Sequence, residues 1–147
     1  MRALDYPPVW LAGAVLLVWL KTRMIGPLLP FAPVQAAGTA LLALGLALLG
    51  GAALSFWRAR STIIPHQMPG ALITTGLFRL SRNPIYLGDA LILVGLSLRW
   101  GAVAGLVLLP AFLWVLTKRF IEPEEQRLRR AFGQQAEAYF ARTRRWL

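Results

Sequence analysis

Apolar residues run through this chain in long blocks, and short polar stretches separate them. The first block, Val9 to Leu20, follows Pro7-Pro8, a pair suited to starting a helix, and ends at Gly26-Pro27. No small-x-small cleavage site follows it and a second apolar block comes soon after, so the pattern predicts an uncleaved span over about residues 8–25. The second block, Val34 to Trp57, predicts a span over 34–57, about 36 Å long as a helix and enough to cross a bilayer with tilt. Gly38, Gly45, Gly50 and Gly51 within it point to close helix packing, or equally reflect how common glycine is in membrane helices. Arg58 to Asn83 is polar and broken by Pro65, Pro69, Gly70 and Gly76, which predicts loop or interfacial backbone. A connection of that length in so short a chain is more often functional than idle.

The third block, Ile85 to Leu98, covers only about 21 Å as a helix, and Arg99-Trp100 follow as an interface anchor. The fourth runs from Ala102 through Leu116 to Lys118-Arg119, with a kink expected at Pro110. Spans over 85–98 and 102–120 would form a helical hairpin. From Glu122 the pattern changes. Leu128, Ala131, Phe132, Ala136, Tyr139 and Phe140 recur at helical spacing, with Arg127, Arg129, Arg130 and Glu137 between them. This predicts one amphipathic helix over about 122–141, lying along the membrane surface or capping the bundle. The expected fold is a single all-α integral membrane domain over residues 1–147, with about four transmembrane helices.

Composition sharpens this picture. The chain is 57% hydrophobic, above the usual share for a soluble domain. A net charge of +10 invites a nucleic-acid partner, but the cations collect at the ends of uncharged runs, the distribution of a membrane protein, so no nucleic-acid partner is expected. With no Cys, disulfides and thiolate metal sites are excluded, and a single histidine, His66, argues against a histidine-based metal cluster, so no metal is expected. His66 itself reads as a structural or interface residue. Four spans would put Arg2, Arg58, Arg60, Arg79, Arg82, Lys118, Arg119 and the later arginines on one side, against Lys21, Arg23 and Arg99 on the other. The positive-inside rule then places both termini, the central loop and any site there in the cytoplasm.

Two segments on that face carry candidate chemistry. Asn83-Pro84 predicts a helix start with a capping side chain, exposed N–H groups able to receive an anion, and Arg82 as a charge beside them. Glu124 and Glu125 open another helix, where the dipole favours acids. The plainer reading of each segment alone is capping plus headgroup contact. Asp89, an acid in the first turns of the third span, raises a functional hypothesis, against the simpler reading of an interfacial acid near a helix start.

Together the segments resemble a known pair of motifs. Arg82-Asn83-Pro84-Ile85-Tyr86-Leu87-Gly88 is similar to the R-H/N-P-x-Y-x-G motif of the isoprenylcysteine carboxyl methyltransferase and phospholipid methyltransferase superfamily. Glu124-Glu125-x-x-Leu128-x-x-x-Phe132-Gly133 resembles its second motif, and Thr74 to Arg79 its lead-in. The resemblance implies an S-adenosylmethionine-dependent membrane methyltransferase. It implies that Arg82, Asn83, Pro84, Tyr86 and Gly88 shape one pocket wall, that Glu124 or Glu125 meets the cofactor's ammonium, and that Tyr139 joins the aromatic lining. Arg130, or Arg129 beside it, would position an anionic acceptor. The chain departs from the family at Ala136, where the second motif has a tyrosine, and has Asn83 for the more usual histidine.

The residue types suit that chemistry, since a carboxylate can hold an ammonium, a helix N-terminus a carboxylate, and aromatic faces a sulfonium. Methyl transfer needs mainly positioning. The implied partners are the lipid bilayer and a lipophilic acceptor, whether a prenylated thiol or carboxylate, a phospholipid amine or a small hydrophobic thiol. A non-enzymatic scaffold or transporter subunit would also explain four spans and a basic tail, but the second and fourth spans offer almost none of the mid-membrane polar residues a transporter needs.

Overall fold

The computed structural model describes residues 6–29, 31–60 and 70–147; Arg2, Pro65, His66 and Pro69 lie outside them. All regular structure among the described residues is helical. Helix α1 spans Pro7–Ile25 and α2 spans Ala32–Arg58, each with proline in its first turn. A short 3-10 turn, Gly76–Arg79, precedes α3 at Pro84–Arg99. Then α4 (Val103–Leu116), a π-helical segment (Thr117–Ile121) and α5 (Glu122–Phe132) run on without a break. Helix α6 spans Gln134–Arg142.

Three of these segments are long and apolar enough to cross a membrane: Pro7–Ile25, Ala32–Arg58 and the continuous Val103–Phe132. Helix α3 is apolar but has 16 residues, about 24 Å, short of a bilayer core of about 30 Å. Three of the about four expected spans thus have the length of a crossing, and α3, the one expected to be short, does not. The expected amphipathic helix over 122–141 is also two helices. They are divided at Gly133, whose φ of +50° is open to glycine at little cost and ends α5.

Helix α3 is the hub. Against α2 it packs through glycines two turns apart. A Cβ on Gly45 would lie 2.8 Å from the Gly88 carbonyl, and one on Gly95 would lie 2.6 Å from the Leu42 nitrogen. Gly38 meets Gly95 in the same way, and Gly51 abuts Leu77, whereas Gly50 has nothing near it. Small residues allow this backbone approach, which is how helices gain contact where lipid removes any hydrophobic drive. The other side of α3 gives Tyr86 and Leu93 to a core with Ala14 and Val18 of α1 and with Phe112, Leu116, Phe120 and Ile121. The chain turns back after α1 where Leu28 and Leu29 donate to the Gly101 carbonyl, so the ends of α1 and α3 meet there. Helices α1 and α3 thus run parallel, and their starts lie at the same end of the bundle.

The π-helical segment has a local cause. Pro123 lacks an N–H, and its ring crowds the carbonyl four residues back, at Arg119. One wider turn, closed by the Glu122 N–H on the Thr117 carbonyl, lets the rod continue past it. Phe120 and Ile121 are thereby buried, and the acidic first turn of α5 comes to stand beside the start of α3.

Candidate active site

The start of α3 and the first turn of α5 face each other. Proline at Pro84 takes the first helical position and Asn83 precedes it with φ −131° and ψ 57°. Asn83 does not cap the helix with its side chain, contrary to the expectation from its position. Its Nδ2 instead donates to the Arg145 carbonyl at 2.9 Å, and its backbone N–H donates to Ser81 Oγ at 3.1 Å. Ser81 Oγ donates to the same Arg145 carbonyl at 3.2 Å, and the Arg82 N–H donates to the Arg144 carbonyl at 2.9 Å. The segment after α6 is therefore stapled along residues 81–83.

The two glutamates have different surroundings. Glu125 is 5% exposed and accepts a two-pronged contact from Arg145, at 3.0 Å from Nε and 2.7 Å from Nη2. Arg82 Nη1 lies 3.3 Å from the same carboxylate. Two cations thus hold one buried anion, and hydrogen bonding to Glu125 raises the Arg145 pKa above its ordinary value. Glu124 is half-buried and accepts from the Tyr86 hydroxyl at 3.1 Å. Burial raises its pKa above the usual carboxylate value, opposed by the Tyr86 hydrogen bond and by Arg127. The Tyr86 ring stacks on Phe120 at 6.3 Å.

Arg82, Asn83, Pro84, Tyr86, Glu124 and Glu125 are thus brought together. Gly88 is turned away from them, because a Cβ there would lie 2.9 Å from the Gly45 carbonyl of α2. Tyr139 sits in a second core with Ala52 and Phe78, donating to the Phe78 carbonyl at 2.7 Å, and burial pushes its pKa up to about 12. Arg129 and Arg130 are exposed on α5. Arg129 pairs with Glu137 at 2.7 Å and stacks on Phe140, whose ring also lies under the Arg82 guanidinium at 4.7 Å. Ala136 is fully buried, so the departure from the family's tyrosine falls at a packed position.

Sequence reasoning did not assign Phe120, Phe140 or Ser81 to the site, and it read Arg145 as one of the closing basic residues of that face without pairing it to Glu125. No spacing rule pairs Arg145 with Glu125, twenty residues away. The one available signal was an arginine cluster after an acidic pair in a chain with so few acids.

Three helical segments long and apolar enough to cross a membrane, with a buried charged cluster at one end of the bundle, are consistent with an integral membrane protein. The phospholipid methyltransferase family profile matches residues 34–135, more than half of the chain, and the chain belongs to that family. The match covers α2 to α5 and both facing segments, and ends before Tyr139 and Arg145. Comparisons with curated proteins and with solved structures found no match.

Proposed function

We propose that this protein is an S-adenosylmethionine-dependent methyltransferase acting on a lipophilic acceptor at the membrane surface. Family membership supports methyl transfer in a membrane. The observation that carries the site is the Tyr86–Glu124 contact beside Phe120, next to a Glu125 already neutralised by two arginines. The donor set fits the cofactor's parts. Glu124 offers a carboxylate for the ammonium. Arg82 Nε is a buried donor with no hydrogen-bond partner among the described residues and suits the cofactor's carboxylate. The Tyr86 ring, backed by the buried Phe120, is the aromatic group beside Glu124 and suits the sulfonium. When bound, the cofactor supplies an electrophilic methyl group.

The chain's own part is positioning. Arg145 and Arg82 fix Glu125, which sets the first turn of α5 and so aims Glu124 at Tyr86. Helix α3 serves as a short fourth pass, its length made up by tilt or by local thinning of the bilayer. The excess of cations near the starts of α1 and α3 and along α5 and α6 supports a cytoplasmic site with both termini on that side. Arg129 and Arg130 are in this reading surface cations for anionic headgroups or for an anionic acceptor, and Tyr139 braces the wall through Phe78.

The test is calorimetric binding of S-adenosylmethionine and S-adenosylhomocysteine to the purified protein. Saturable binding of both is expected, weakened at least tenfold in Glu124→Gln. A well-folded protein that binds neither ligand would overturn the proposal in favour of a non-enzymatic membrane scaffold.

A further inference from the structure

The ends of α1 and α3 enclose a recess of about 250 Å³, lined by Trp19, Thr22, Arg23, Pro27 and Trp100. It lies at the end of the bundle opposite the Arg82–Glu125 cluster, with Trp100 about 21 Å along α3 from Tyr86. Trp19, Thr22, Arg23 and Pro27 all precede residue 34, where the family profile begins. The walls are fixed by the turn beside them. The Leu28 and Leu29 N–H groups donate to the Gly101 carbonyl at 2.9 and 3.1 Å. Gly101 has φ +66°, and a Cβ there would lie 2.9 Å from the Leu29 carbonyl oxygen, so this turn needs glycine.

The charge in the recess has no counterpart in the chain. Thr22 spends its hydroxyl on the Val18 carbonyl at 2.8 Å, which leaves Arg23 as the charged donor. Its guanidinium is held 5.4 Å from the centroid of the Trp19 ring, and no carboxylate pairs with it among the described residues. No acidic residue occurs in 6–88 or 90–121, and Asp89 stands about 15 Å along α3 from Arg99. Lys21 and Arg99 add two further cations in the closing turns of the same helices. The dipole of α1 favours a cation in its last turn, but does not call for a recess walled by a second tryptophan from α3. With 19 residues, about 28 Å, α1 carries Arg23 to headgroup depth when it crosses a bilayer, the depth that tryptophan also favours.

We propose that this recess binds an acidic phospholipid, whose phosphate meets Arg23 while its glycerol and upper chains lie against Trp19, Pro27 and Trp100. The volume holds about eight water-sized groups, enough for a phosphate and part of its glycerol. A zwitterionic lipid would bring an ammonium toward Lys21, Arg23 and Arg99, whereas a net-negative headgroup meets three cations and no competing acid. The lipid joins the end of α1 to the end of α3, away from the site of methyl transfer, and the inference does not rest on that activity.

The test is native mass spectrometry of the whole detergent-purified protein titrated with phosphatidylglycerol, phosphatidylcholine and glycerol 3-phosphate. The parent is expected to hold its first phosphatidylglycerol about tenfold tighter than phosphatidylcholine. Arg23→Gln should weaken that first site about fivefold, the share of one cation near an anionic lipid, and Trp19→Leu should weaken it as well. Arg130→Gln, at the other end of the bundle, should leave it in place. S-adenosylmethionine binding should be the same in Arg23→Gln as in the parent. Equal affinity for phosphatidylcholine in the parent overturns the proposal, and that comparison needs no variant. So does a first site that survives Arg23→Gln or that Arg130→Gln weakens as much, since the lipid would then sit on the basic face of α5. Glycerol 3-phosphate bound as tightly as phosphatidylglycerol would make the recess a site for a soluble anion and overturn the lipid as its occupant.

Discussion

Adjacent glutamates in one helical turn have been given opposite electrical settings. Glu125 lies between Arg82 and Arg145, while Glu124 is half-buried with a phenol as partner. Neutralising a buried ion whose partners remain is expensive, about 3–5 kcal/mol for a fully buried pair. Arg145 is a third exposed, so Glu125→Gln is expected to cost about 2–3 kcal/mol, read as a lower midpoint of thermal unfolding in detergent. Glu124→Gln should leave that midpoint nearly unchanged and weaken cofactor binding. The raised pKa of Glu124 fixes two opposite pH trends. Its neutral form favours the folded apo protein below the usual carboxylate value, and that contribution is lost as pH rises through the raised value. Cofactor affinity should move the other way, rising over the same window as the carboxylate ionises to meet an ammonium. Calorimetry across pH checks this, and Glu124→Gln should flatten the profile.

At the scale of elements, two contacts set the geometry: the glycine seam between α2 and α3, and the π-helical turn before α5. Gly45→Val would place its Cβ within 3 Å of the Gly88 carbonyl, backbone that cannot swing aside, and should lower the unfolding midpoint sharply. Gly50→Val, with nothing within 4 Å, should be close to neutral and serves as the control. Ala136→Tyr, which would restore the family residue, should destabilise the protein because that side chain is fully enclosed. Much of this scale was legible in the sequence. Apolar runs placed α1, α2 and α4 to within a few residues, and glycine content foretold the seam, though not which of the four glycines takes part. The π-helical turn was not legible, because Pro123 reads equally well as an ordinary helix start. The division at Gly133 was obscured by apolar residues that keep helical spacing across it. The motif residues at 82–86 and 124–125 were legible through family resemblance. Their wiring was not, because Asn83 and Glu125 take their partners from the segment after α6, which no local pattern predicts.

For the molecule as a whole, sidedness is the property most open to direct measurement. The chain has no cysteine, so single cysteines at Gly133 and at Gly26 can be labelled in intact vesicles without background. Only the Gly133→Cys variant should react from the cytoplasmic side, and labelling of both from that side would refute the proposed topology. The staple formed by Arg144 and Arg145 also ties stability to binding: removing residues 143–147 should expose Asn83 and Ser81, free Glu125, and abolish cofactor binding while α1 to α4 still insert. That staple has a further consequence, in the order of events during synthesis. Every described helix is translated before residues 143–146, yet residues 81–83 are stapled only when the Arg144 and Arg145 carbonyls reach them. A chain caught part-made, or clipped by a protease after α6, would hold its place in the membrane without a finished site.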